Sequence, residues 1–439
     1  MKVTHIETIR VDEYPQIIWV QIYTDNGIIG LGETWYAPTV VESAIHDHFG
    51  PLIIGRDPRK VELHWNSMFT LSDHAGFGGG EMRAISAIDM ALWDIKGQDA
   101  GVPIYELLGG AVRERIRVYA TGMPYTNVVE HAKKILDKGI TAIKGGPTIS
   151  LALASDGQYL SPKDLDIALK PIREIREALG NSIQIANDGH GKWSLPVAIR
   201  IAQAMEEYEI MWQEDLMPLQ NPKALRELQD STKTPICISE RLLSRWQFRE
   251  FIENGSARIV MPDLIWTGGI SETHKIAILA STYQVPFAPH DATGPVNIFA
   301  CAQICISSIN AMIQEHVPSY YEGWYGDFVD PNLDIKDGFL HAPQNPGIGT
   351  RLKKDVKERK DVHIRVSDLA LESHIDAWEL FDTHGNGGKV IYRSKKMEEE
   401  LKSLRIERNP FIKLYLKLKL ARLFLKFIRI WARWTIWRT

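Results

Sequence analysis

The stretch Ile183-Gln184-Ile185-Ala186-Asn187-Asp188-Gly189-His190 decides how this 439-residue chain folds. A short apolar, β-forming run ends on an acid, a glycine and a histidine, as a buried strand does where it opens into a loop. Working outward, the same unit recurs. Comparable runs fall at 116–120, 141–144, 210–212, 236–238, 259–261, 285–288 and 311–313, with amphipathic helical stretches between them. Eight strand-like runs alternating with helices describe a βα barrel. Open doubly wound sheets share the alternation.

The residues that end these runs carry the chemistry. Asp188 and His190 follow the third run, Glu214 the fourth and Glu240 the fifth; Asp263 follows the sixth, His290 the seventh and Glu315 the eighth. In a barrel the C-terminal strand ends open into one mouth, so these side chains converge. Asp188, Glu214 and Glu240 offer hard oxygen ligands of the kind Mg²⁺ prefers. Without a cation, three such acids would repel one another and some would protonate. Any one of them alone is more simply an acid at a helix N-terminus.

Asp263 is expected beside His290, where it would fix the imidazole tautomer and raise its basicity for proton abstraction. His190, two residues past Asp188, is read as an acid or base, with metal ligation as the competing role. Glu315 either hydrogen-bonds a substrate oxygen or pairs with a cation. Lys144, ending the second run, is read as a carboxylate binder or base against a plain rim lysine.

The rest of the chain frames these runs. Residues 17–23 and 28–32 flank Asp25-Asn26-Gly27 as a β-hairpin does, and Ile85, Ile88, Ala91, Leu92 and Ile95 recur at helical spacing within 82–96. Hydrophobic residues make up 44% and charged residues 24%, as in a globular domain, and a formal charge of −4 gives no reason to expect nucleic acid. Three cysteines without CxxC spacing speak against a disulfide framework or structural zinc, and no signal-like segment is read, so a cytoplasmic setting is expected.

After the glycine-rich stretch at 385–388 the composition changes. From 402 to 439 there are eleven Lys or Arg and one acid, Glu407, with Trp431, Trp434 and Trp437 among apolar residues. The segment 410–439 is expected to make peripheral membrane contact, to pack on a partner, or to be a fused extra piece.

Ala84-Ile85-Ser86-Ala87-Ile88-Asp89-Met90-Ala91-Leu92-Trp93-Asp94-Ile95-Lys96-Gly97, with Leu107-Leu108-Gly109-Gly110 and the strand-end residues above, resembles the mandelate racemase-like subgroup of the enolase superfamily. The resemblance covers about residues 1–355. It implies an α+β capping domain over a modified TIM barrel, (β/α)₇β, with the chain divided as a 1–118 cap, a 119–320 barrel, a 321–365 segment completing the cap and a 366–439 extra tail.

It further implies Mg²⁺ on Asp188, Glu214 and Glu240, the Asp263–His290 dyad as base, and Glu315 polarising the second carboxylate oxygen. This superfamily is itself a standard example of a Lys or His base working with Mg²⁺ on an enediolate, so these roles come with the resemblance. Asp188-Gly189-His190-Gly191-Lys192-Trp193-Ser194, Gly268-Gly269-Ile270-Ser271-Glu272 and Pro289-His290 with Gly294-Pro295 are most similar to galactonate dehydratases, in which His190 would protonate the leaving hydroxyl. A sugar acid substrate and a homo-oligomer are expected, with specificity in loops around Tyr14-Pro15 and 73–80 and at Lys144 and Trp193.

Two departures qualify the resemblance. The second strand reads Lys144-Gly145-Gly146, without the second lysine of the racemases, and the fourth ends Glu214-Asp215-Leu216 rather than Glu-Glu-Pro. Epimerisation or cycloisomerisation on the same site is the alternative chemistry. A non-catalytic, membrane-associated binding barrel is the alternative of another class.

Overall fold

The computed structural model describes residues 1–73, 76, 78–124 and 126–368. The glycine-rich stretch at 385–388 and the basic segment 410–439 lie outside the described residues. No helix of the described residues is long and apolar enough to cross a membrane.

The chain opens with an antiparallel sheet of β1 (Val3–Val11), β2 (Ile17–Thr24) and β3 (Ile29–Trp35). The hairpin turns at Gly27, whose φ of +86° suits a residue without a Cβ. Helix Gly80–Ala100 lies directly on β3. A Cβ at Gly32 would stand 1.9 Å from the Ala87 carbonyl oxygen, and one at Gly30 would stand 2.1 Å from that of Ala91. The alternating glycines of β3 therefore let two backbones touch.

That helix is buried on nearly every side because it is wedged between the sheet and the barrel. Its acids make the joints. Asp89 accepts from the Ser271 amide at 2.9 Å and hydroxyl at 2.6 Å. Asp94 accepts from the amides of Leu31 and Ile348, each at 2.8 Å. Late in the chain, Val362–Ser367 returns to pair antiparallel with β1.

The barrel is built from β4 (Arg115–Thr121), β5 (Ala142–Gly145), β6 (Gln184–Asp188), β7 (Gln213–Glu214), β8 (Ile236–Ile238), β9 (Ile259–Val260) and, eighth in the circle, β10 (Gln314–His316). Neighbours are parallel, and β10 pairs with β4 to close the ring. The seventh stave is present only as bridges of Phe287 to Val260 and Ala311 and of His290 to Asp263. Helices connect successive staves, and only the short helices Pro318–Tyr321 and Tyr325–Phe328 follow β10 directly. This is the (β/α)₇β variant of the TIM barrel.

Several expected boundaries move. The fourth strand is Gln213–Glu214 rather than 210–212, and the eighth is Gln314–His316 rather than 311–313. Apolar character stops where the barrel's charged layer starts, whereas the hydrogen-bonded ladder runs on through it. Likewise, a division at 118 falls inside β4 and one at 365 falls inside Val362–Ser367.

Replacing Asp94 with Ala strands two buried amides and removes a carboxylate 3.3 Å from the part-exposed Arg351 guanidinium. We expect a loss of about 2–4 kcal/mol, read as a lowered denaturation midpoint. An unchanged midpoint would show that the joint does not depend on this acid.

Candidate active site

Side chains on a strand alternate between faces, so residues two apart share one. The apolar plug of the barrel contains Ala142, Ala186, Trp212, Met261, Ala288 and Ile313. Two positions further on stand Lys144, Asp188, Glu214, Asp263, His290 and Glu315. Each therefore points into the barrel one layer above the plug, toward the C-terminal mouth. On the fifth stave this register puts Ser239 above Cys237, and Glu240 lies one residue beyond.

In this layer Lys144 is the pivot. Its ammonium lies 2.7 Å from Glu214 Oε1 and 2.9 Å from Glu315 Oε1, and all three residues are buried. Burial pushes Glu214 up to about 8; Lys144 opposes that shift, while Asp188, Glu315 and Glu240 add to it by repulsion. For Glu315 the balance is reversed. Burial works against its charge, but Lys144 and His290 outweigh burial and hold its carboxyl below the usual range. Glu315 Oε2 also accepts from the Asp291 amide at 2.8 Å. Pairing with the Lys144 cation is one of the two roles read for Glu315 from the sequence.

His290 and Asp263 form the expected contact, with Nδ1 and Oδ2 2.6 Å apart. Nε2 faces Glu315 at 3.8 Å. Burial alone would lower the imidazole, but the fields of Glu315 and Asp263 raise it to about 10. His190 sits at the rim with 48% of its side chain exposed and Nε2 2.7 Å from Asp188 Oδ2. Its φ of +50° is a left-handed conformation rarely adopted by a side-chain-bearing residue, held between two glycines. A cleft of about 610 Å³ brings His190 and His290 together with Tyr36, Arg83, Arg241 and Trp266.

The three expected metal ligands converge without forming a ready cation cage. Among the described residues no three His, Cys, Asp or Glu side chains stand at ligating spacing. Their oxygens have other partners: Glu214 has Lys144 and the Trp212 indole, and Asp188 has the amide and ring of His190. Glu240 has Arg241 at 3.4 Å. The donor set nevertheless suits a hard divalent ion: all ligands are carboxylates, and their mutual repulsion is felt at Glu214.

One expected substrate contact is corrected, and the rim-lysine alternative for Lys144 is set aside. Trp193 is fully buried, its indole N–H donating to Thr148 Oγ1 at 3.2 Å, so it packs the core rather than facing a ligand. Lys144 is no rim residue, being enclosed among the carboxylates.

Sequence reasoning missed Arg83, Tyr36, Glu33 and Asp291. Glu33 reaches from β3 to the amides of Val296 and Asn297, at 3.2 and 3.0 Å, and burial pushes it up to about 8. The Asn297 side-chain amide then donates to Asp291 at 3.1 Å and lies 3.4 Å from Asp263. An acid in the apolar, glycine-spaced run Gly30-Leu31-Gly32-Glu33 was the available signal.

A capping sheet over a (β/α)₇β barrel, with ionisable side chains from successive staves meeting in one cleft, defines an enolase-type barrel protein. Residues 127–356 match the family model for enolase C-terminal domain-like sequences, and residues 5–109 match that for the mandelate racemase / muconate lactonizing enzyme N-terminal domain. The chain belongs to the enolase superfamily, in its mandelate racemase-like subgroup.

It is 35% identical over 372 residues to a D-galactonate dehydratase of Variovorax paradoxus (strain S110), covering 83% of this chain and 94% of that protein. It is 33% identical to a D-galactonate dehydratase of Ralstonia nicotianae, covering 80% and 91%. Among solved structures, an enolase of the mandelate racemase subgroup from Agrobacterium tumefaciens matches with a TM-score of 0.80 at 39% identity, covering 84% and 99% of the two chains.

Asp263→Asn removes a negative charge that keeps His290 protonated. The pH at which kcat/KM rises as His290 loses its proton should therefore fall, with kcat down about 100-fold. A pH profile that does not move would separate Asp263 from the basicity of His290.

Proposed function

We propose that this chain dehydrates a sugar acid of the aldonic type, galactonate-like, to its 2-keto-3-deoxy product. The observation that carries the reading is one cleft shared by two imidazoles, His290 within the buried carboxylate layer and His190 at the rim. Relatives that bear the name D-galactonate dehydratase support it.

His290 takes the proton α to the carboxylate at Nε2, because Nδ1 is engaged by Asp263. The electron pair moves into the carboxylate and gives an enediolate, whose second negative charge needs cationic neighbours. The Lys144 ammonium, beside Glu315, is the donor at hand for one oxygen. Collapse of the enediolate expels the β-hydroxyl, which leaves as water with a proton from His190, and the resulting enol tautomerises to the ketone. Two histidines thus divide the work, one neutral and one charged.

Asp188, Glu214 and Glu240 would hold Mg²⁺. When bound, the ion supplies Lewis acidity at the substrate carboxylate and weakens the acidic field that keeps His290 protonated.

Purified protein with Mg²⁺, offered a library of aldonic and aldaric acids, should convert at least one to a product lighter by one water, seen by mass spectrometry. His290→Asn should lower kcat on that acid by about 10²- to 10⁴-fold. Near-wild-type turnover in that variant would overturn the base assignment. Inversion or deuterium exchange in D₂O without loss of water would replace dehydration by epimerisation.

A further inference from the structure

We infer that Arg83 reads the end of the substrate remote from the reacting carboxylate, and that the site accepts aldaric diacids as well as aldonic acids, binding the diacid more tightly. This rests on the sugar-acid reading above and extends it.

Arg83 belongs to the first turn of helix Gly80–Ala100 and lines the cleft from the capping side. Its guanidinium lies over the Trp266 ring, 4.4 Å from the centroid, and 5.6 Å from that of Tyr36. Nη1 donates to the Trp35 carbonyl at 2.8 Å. These contacts fix the fork and strip much of its water. They do not neutralise it. Among the described residues no carboxylate stands within ion-pair distance of Arg83, and only the fields of Asp263 and the Tyr36 phenol oppose the lowering that burial causes.

Arg241, the other arginine of the cleft, differs. It has Glu240 at 3.4 Å and Asp215 at 3.6 Å. A desolvated cation is costly unless an anion meets it. The cleft is the face from which such an anion can come.

Trp266 is a shared neighbour of Arg83 and the catalytic histidine. The Trp266 and His290 ring centroids are 5.3 Å apart, so the guanidinium and the imidazole both lie against one indole. A chain of about five or six carbons, at roughly 1.5 Å per bond, covers that width. The reacting carboxylate belongs deeper, by Lys144 and Glu315. What reaches Arg83 is the other terminus. A hydroxyl there can accept one hydrogen bond from the fork, whereas a carboxylate accepts two in parallel with opposite charge.

The test uses the full chain with Mg²⁺ and the pairs galactarate/galactonate and glucarate/gluconate, each matched in hydroxyl configuration. Binding is measured by titration calorimetry and turnover by product formation. For at least one pair, wild type should bind the diacid about 10- to 100-fold tighter. Arg83→Met should bring that ratio near one, and Arg83→Lys, which keeps the charge without the fork, should retain part of it. If the Met variant does not fold, as judged by its melting curve, the Lys variant decides on the same ratio.

Equal or weaker diacid binding by wild type for both pairs, or a ratio that the variants do not change, overturns the inference. An Arg83-dependent preference without turnover of any acid would leave the distal anion site standing and remove the dehydratase reading. Turnover without that preference would do the reverse.

Discussion

One buried ammonium, that of Lys144 between Glu214 and Glu315, opposes the repulsion of the acids that meet there. Above an apolar plug, and itself buried, it is a cation among the carboxylates of three staves. It cannot satisfy them all. Glu315 is held ionised, Glu214 is driven toward neutrality, and the remaining negative field keeps the His290 proton in place. Breaking one member of such a buried pair costs more than the pair contributes, because the partner's charge is left uncompensated. The layer is therefore stable as a set and short of positive charge.

The rest of the molecule holds that layer in register. The capping domain is joined to the barrel by acids rather than by apolar packing alone: Asp89 reaches Ser271, Asp94 reaches Ile348, and Glu33 reaches the start of helix Asn297–Ser307. The last of these leads to the dyad. Asn297 links Glu33 to Asp291 and Asp263, so a strand of the cap bears on the orientation of the imidazole. Closing the cap and assembling the base are parts of one buried network.

Much of this was legible in the sequence. Eight apolar runs give the staves, and their C-terminal ends bring Asp188, Glu214, Asp263, His290 and Glu315 to one mouth without any coordinates. The Asp263–His290 contact follows from adjacent strand ends. Three features were not legible. Partners distant in sequence, such as Lys144 with Glu214 and Glu33 with Asn297, depend on how strands are staggered around the ring. Trp193 was misplaced because an aromatic near a strand end can face the mouth or the core, and only packing decides. The seventh stave is bridges rather than a ladder, since Pro286 and Pro289 remove two of its amide donors.

The most direct test is a crystal structure of the full chain soaked in Mn²⁺, with anomalous differences locating the ion. One Mn²⁺ should lie among Asp188, Glu214 and Glu240, with the Glu214 oxygen turned from Lys144 toward it. An intact Lys144–Glu214 pair and no ion in the mouth at saturating Mn²⁺ would contradict the claim that this layer exists to gather a divalent cation.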